Sequence, residues 1–195
     1  MPRNPEEFER IRQAAKEKIH AAAMLLFIKK GYHATSIEDV SRQAQISKGL
    51  LYNYYKGKED LLAAMVQVRI GEVAEVMENA AALPKPADQL RHIVVGALEN
   101  VYQRPDIYRF YLNLQTQPQD DQILGAYGRK LSEASRTQFE VQCRMFQQMG
   151  VKEPKLRALY FSSALNGAML MISSYPDLPV DLMKEQMIRE YCTGE

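Results

Sequence analysis

Apolar residues along this chain recur at spacings of three and four, the period of a helix with one buried face, and no segment sustains the alternation of a half-buried strand. Ile19, Ala23, Leu26 and Phe27 form a first stripe that Gly31 would end, with Asn4, Pro5 and Glu7 as cap, first-turn proline and capping-box acid. Ile37, Val40 and Ala44 mark a short second helix, and Leu51 and Tyr55 a short third. After Gly57 a long stripe (Leu61, Leu62, Met65, Val66, Ile70, Val73, Met77) runs to the break at Pro84-Lys85-Pro86, which no continuous helix can cross. Leu90, Ile93, Val94, Ala97, Leu98 and Val101 predict an amphipathic helix over residues 87–103. Pro105 opens a short helix, Pro118 a long one that closes before Gly150, and Pro154 another that Pro176 and Pro179 end; a last helix covers 180–191. The expectation is an all-α chain of about nine helices.

Between Thr35 and Leu61 the pattern carries more than fold. Thr35 stands three residues before Glu38, so hydroxyl and carboxylate can cap each other's orphan backbone donors, and the helix would start at Thr35 or Ser36. Gln45 and Ile46 form a tight turn, and Ser47 is an N-cap for a helix reaching Tyr54. There Leu51 and Tyr55 are spaced to face inward, which leaves Lys48, Gly49, Leu50, Tyr52, Asn53 and Tyr54 for something outside. Two short helices about a tight turn, the second polar on its outer side, have the shape of a helix-turn-helix. Gly49 costs about 1 kcal/mol against alanine inside a helix, yet lets a duplex come close. Lys48, Gly49 and Leu50 would lie nearest base edges, while Thr35, Ser36, Tyr52, Tyr54 and Lys58 would hold phosphates.

The same positions resemble the TetR family of bacterial transcriptional regulators. Its pattern of a Thr-led second helix, a short turn, and Leu-Tyr-x-aromatic-aromatic followed by Lys and Leu is met by Thr35, Ile37, Val40, Ala44, Leu51, Tyr52, Tyr54, Tyr55, Lys58, Leu61 and Leu62. Ser41 replaces the usual alanine and Tyr55 the usual phenylalanine. The resemblance covers about the first third of the chain. It implies a helix-turn-helix domain over residues 1–62 and a helical effector-binding and dimerisation domain over 63–195. It also offers Arg3, Arg10 and Arg12 as a minor-groove arm; solvated charges on a long helix's first turns explain them equally well.

Charge supports this division weakly but in the right sense. The net charge is +1, with eleven Lys and Arg against eight Asp and Glu up to Leu62 and fourteen against sixteen beyond it. Cys143 and Cys192 are too few for a disulfide framework, and His20, His33 and His92 lack metal-ligand spacing, so neither metal nor cofactor is expected. No apolar run approaches the ~20 residues a bilayer requires, and no signal peptide is recognisable. The expectation is a cytoplasmic protein without a membrane partner.

In the body nothing has catalytic spacing: Ser162 and Ser163 lack the glycines of a nucleophile elbow, and no phosphate-binding loop occurs. Aromatic and sulfur-bearing residues are abundant there. Each alone fits ordinary core, but together they can line a cavity, and the resemblance implies an effector pocket. Phe110, Phe139, Cys143 and Met169 are the expected lining. The helix after Pro154 has two apolar faces, Leu156, Leu159, Tyr160 and Leu170 on one and Phe161, Leu165, Met169 and Ile172 on the other. Ser163, Asn166 and Gly167 would allow a second subunit to pack closely, the alternative being a helix buried within one body.

The functional expectation is a homodimeric, non-enzymatic regulator of transcription, a repressor, bound to a near-palindromic operator and released by a small apolar or aromatic effector. Two alternatives remain: a DNA-binding dimer without such an effector, and a helical enzyme or adaptor.

Overall fold

A computed structural model describes residues 5–117 and 120–193. Among the described residues there are nine helices and no strand: α1 (Pro5–Lys30), α2 (Ile37–Gln43), α3 (Lys48–Tyr52), α4 (Lys58–Ala81), α5 (Pro86–Gln103), α6 (Pro105–Gln115), α7 (Gln122–Gln148), α8 (Pro154–Ser174) and α9 (Val180–Tyr191). Arg3, Asn4 and Pro118, given roles above, lie outside the described residues. The chain divides into two compact units, Met1–Gln67 and Val68–Glu195. The division falls inside α4, little more than a helical turn beyond the boundary expected at residue 62.

In the first unit, the head, Ile19, Ala23 and Phe27 of α1 are buried with Val40 of α2, Leu51 of α3, and Leu61, Leu62 and Met65 of α4. Gly31 ends α1 as expected, adopting a φ of 82° that a side chain would strain. The start of α2 differs from the Thr35–Glu38 capping box. Ser36 is the cap: its Oγ accepts from the Asp39 amide at 3.0 Å, and the Asp39 carboxylate accepts from the Ser36 amide at 3.1 Å. Thr35 instead turns inward and donates its hydroxyl to the Gly31 carbonyl at 2.8 Å, satisfying a group left over at the end of α1. Gln45 takes the left-handed turn position, with φ 55°. Ser47 caps α3 through the Leu50 amide at 3.1 Å, and α3 stops at Tyr52, shorter than the helix to Tyr54 that the pattern suggested.

The second unit is a helical bundle. Leu90, Val94 and Leu98 of α5, Phe146 of α7, and Phe161 and Ile172 of α8 share its core with Val180 and Met187 of α9. Phe146 and Phe161 meet edge to face at 5.7 Å and are fully buried, each side chain contributing about 1.5–3 kcal/mol through removal from water. The long helix α7 runs over Gln122–Gln148. Asp121 starts it, its carboxylate accepting from the Ile123 and Leu124 amides at 3.1 and 2.9 Å. At Gly128, α7 comes so close to α6 that an added Cβ would lie 2.5 Å from the Leu114 carbonyl oxygen. Helix α8 divides as its two stripes predict: Phe161, Leu165 and Ile172 are buried, while Leu156, Leu159, Tyr160 and Leu170 are exposed.

Candidate nucleic-acid interface and effector cavity

Helix α3 sorts its side chains by register. Leu51 is fully buried and anchors it; Lys48, Gly49 and Tyr52 are exposed, and Leu50 is 37% exposed. Nothing lies within 4 Å of a Cβ placed on Gly49, so the glycine leaves an open approach to the start of α3. One cation, one apolar side chain and a phenol thus share the outer surface of α3, side-chain chemistry of the kind that reads base edges in a groove. Tyr54 is half-buried beside Tyr55, their ring centroids 6.4 Å apart.

Three expected phosphate holders are placed otherwise. Thr35 is 2% exposed and its hydroxyl is used within the head, so its side chain cannot reach a ligand. Ser36 is on the surface, but its hydroxyl is engaged with Asp39, whose carboxyl these hydrogen bonds hold below the usual carboxylate range, with help from Lys30 and Arg42. Lys58 donates to the Tyr32 and His33 carbonyls at 2.8 and 3.2 Å and lies 4.4 Å from the Tyr32 ring centroid. Partial burial lowers its pKa. Its first task is to tie the loop after α1 to the start of α4. Behind this surface the Tyr55 hydroxyl is 2.8 Å from His20 Nε2. Burial, then Asp60 and Tyr54, raise the Tyr55 pKa to about 12, while burial and Lys16 lower that of His20.

Within the second unit a cavity of about 350 Å³ lies among helices α4 to α8. Of the four residues expected to line it, Phe139 and Met169 do. Phe110 does not: the cavity side of α6 is Tyr108, Tyr111, Leu112 and Gln115, and Phe110 falls off that register, set edge-on against Tyr111. Cys143 does not either. It follows Gln142, the last cavity residue of α7, and is packed against the bundle core. Asn166, expected beside Ser163 and Gly167 on a face for a second subunit, is exposed as they are and also contributes to the cavity wall.

The wall is apolar along Val73, Val76, Ile93, Val101, Leu131 and Leu165, and polar at both extremes. One polar group is Gln142 with Ser162, whose hydroxyl donates to Gln142 Oε1 at 2.6 Å. Another is Arg69, its Nη1 3.2 Å from a Glu72 oxygen and its guanidinium 5.8 Å from the Tyr111 ring centroid. Burial raises the pKa of Tyr108 and Tyr111, keeping both phenols protonated at neutral pH.

The geometry of the head agrees with its relatives. Residues 19–65 match the model for bacterial regulatory proteins of the tetR family. Over these residues the chain has a TetR-family head. It is 30% identical over 112 residues to YerO of Bacillus subtilis, an uncharacterized HTH-type transcriptional regulator, across 55% of this chain and 38% of that relative. It therefore spans well under half the length of that curated relative in the match. Likeness of fold extends further. A TetR-like transcriptional regulator from Rhodococcus sp. RHA1 superposes with a TM-score of 0.71 at 23% identity, covering 89% of this chain and 91% of the other. FadR of Bacillus subtilis, a transcriptional regulator solved with stearoyl-CoA, superposes with a TM-score of 0.66 at 13% identity, over 92% and 98%.

Sequence reasoning about this chain missed the polar half of the cavity: Arg69, Glu72, Asn100, Gln138, Gln142 and Ser162. Their sequence signal is weak, because a polar residue beside an apolar stripe is equally compatible with a solvated position. Arg69 and Glu72 sit next to Ile70 and Val73 of the α4 stripe.

Proposed function

We propose that this TetR-family regulator binds an operator as a homodimer through α3 and is released from it by a small molecule held in the body, so that the outcome is repression. The observation that carries the reading is the outer surface of α3, where Lys48, Gly49, Leu50 and Tyr52 stand exposed while Leu51 alone anchors the helix. Lys48 and Leu50 would read base edges, the one donating to guanine and the other meeting a thymine methyl; Tyr52 and Tyr54 would hold phosphates. A single head offers few contacts, and a near-palindromic site calls for two-fold symmetry. The exposed apolar stripe of α8, Leu156, Leu159, Tyr160 and Leu170, interrupted by Ser163 and Gly167, supports a partner surface there.

Support for an effector comes from the cavity's volume, near the lower end for small-molecule sites, and from its largely apolar wall with a few polar groups. That FadR was solved with an acyl-CoA is consistent with an apolar chain in such a wall. Sequence selection from a random duplex pool, followed by gel shift on the selected site, tests the reading. A near-palindromic consensus bound by two copies is expected, with preference at one or two base pairs per half-site relaxed in Lys48→Ala. Binding that shows no sequence preference, or a consensus unchanged in that variant, would remove α3 as the reader.

A further inference from the structure

The two polar groups of the cavity lie at opposite ends, and they differ in charge. Helices α4 and α5 run antiparallel: a Cβ on Gly96 would lie 3.9 Å from Val76, and Arg104 approaches Glu72 at 3.9 Å. Helices α7 and α8 are likewise antiparallel, with Gln142 against Ser162, and α6 meets the far end of α8 where Arg109 donates to the Ser173 carbonyl. Arg69 and Glu72 therefore belong to the end with Tyr108 and Tyr111, and Gln142 and Ser162 to the other. Along α4 the cavity runs from Arg69 to Met77, about 12 Å at the helical rise.

At the charged end two arginines share one carboxylate. Glu72 gives Oε2 to Arg69 at 3.2 Å and Oε1 to Arg104 at 3.9 Å, which leaves one positive charge in excess. Arg69 is the more enclosed arginine, its side chain 18% exposed, and only Nη1 of its guanidinium is engaged by Glu72. A guanidinium whose ion pair with Glu72 uses Nη1 alone has further donors for a second carboxylate, and the fork geometry favours a bidentate one. Glu72 already marks the place such a group would take, with Arg104 as its own alternative partner.

Resting on the effector reading above, we propose that the cavity selects an amphiphile bearing one carboxylate, which Arg69 receives in exchange for Glu72 while the apolar body lies along Val73, Val76 and Ile93 toward Gln142. The space, about 350 Å³, holds about a dozen water-sized groups. That suits a free acid of eight to ten carbons by order of magnitude and excludes the nucleotide of an acyl-CoA from the cavity itself. The ion exchange makes Glu72 an internal competitor. Removing its charge strengthens binding of an acid and does nothing comparable for a neutral analogue.

Isothermal titration of the full chain with octanoate and decanoate, against 1-octanol, methyl octanoate and octanoyl-CoA, tests this. The acids should bind at least tenfold more tightly than the alcohol and ester. Arg69→Gln should abolish that ratio while keeping the weak binding of the neutral compounds, and Glu72→Gln should tighten the acids several-fold. Circular dichroism on both variants verifies the fold, and Arg69→Lys, retaining charge without the fork, should restore part of the ratio. Equal binding of acid and ester, a ratio unchanged in Arg69→Gln, or octanoyl-CoA binding more tightly than octanoate irrespective of Arg69 would overturn the carboxylate proposal while leaving an effector cavity in place. If no compound of either series binds, both the proposal and the effector reading fall for ligands of this size.

Discussion

Lys58 shows how one side chain can satisfy a family pattern for a reason other than the one the pattern suggests. Its ammonium holds the Tyr32 and His33 carbonyls and covers the Tyr32 ring, so it closes the head before any DNA is present. Lys58→Met should lower head stability by about 1–2 kcal/mol in urea unfolding, the scale of charge-assisted hydrogen bonds, and alter the salt dependence of DNA binding little. Lys48→Ala, at the position proposed to read a base, should relax sequence preference rather than weaken binding to all sequences alike. A salt slope flattened by about one unit in Lys58→Met would return Lys58 to the phosphate contacts. His20 is a second case. Burial, assisted by Lys16, lowers its pKa, so the folded head favours the neutral ring beside Tyr55. As pH falls the unfolded chain takes up the proton first, near the ordinary value of about 6.5, so this contribution is present above that pH and lost as pH falls through the lower folded value. Thermal melts between pH 7.5 and 5 should show the head weakening toward acid, and His20→Phe should reduce the slope.

Among the helices, α8 carries the most consequence because it has two faces to satisfy. Phe161, Leu165 and Ile172 supply one subunit's core, whereas Leu159, at 53% exposure, and Tyr160, at 63%, stand in water with Leu156 and Leu170. Apolar surface of that extent along one helix is what association removes from solvent. Gly167 lies on the exposed side with nothing within 4 Å of an added Cβ, so a larger residue meets no obstacle inside the subunit. Gly167→Leu should therefore keep native helicity, even gaining about 1 kcal/mol of helix propensity, yet shift sedimentation toward monomer and weaken operator binding in parallel. A variant that remains dimeric with full DNA affinity would place the partner surface elsewhere.

For the whole molecule, the proposed switch requires a ligand in the second unit to change what the first unit does. A ligand shifts such an equilibrium only by its differential affinity for the two states. Two measurements on one sample separate binding from switching. At a hundredfold excess over Kd an effector should raise unfolding stability by about 2.7 kcal/mol, and in the same titration it should lower operator affinity. Stabilisation without any change in operator affinity would mean that the cavity is occupied but uncoupled to DNA binding.

What was legible in the chain alone follows from periodicity and local chemistry. The order and extent of the helices, the glycine end of α1, the inward anchor Leu51 and the two faces of α8 depend on residues within a turn or two of one another, and such patterns survive without knowledge of the fold. The start of α2 is a contest between neighbouring caps. Ser36 with Asp39 prevails, because Thr35 has a carbonyl at the end of α1 to satisfy, a partner on another element. The cavity was of another kind. Its members come from five helices and are chosen by how those helices pack, so a single residue's character cannot assign it: Phe110 and Cys143 look like lining and are not, while Arg69 and Gln142 look like surface and are not. Tertiary packing alone decides such membership, because turning a helix by one residue moves a side chain about 100° around its axis.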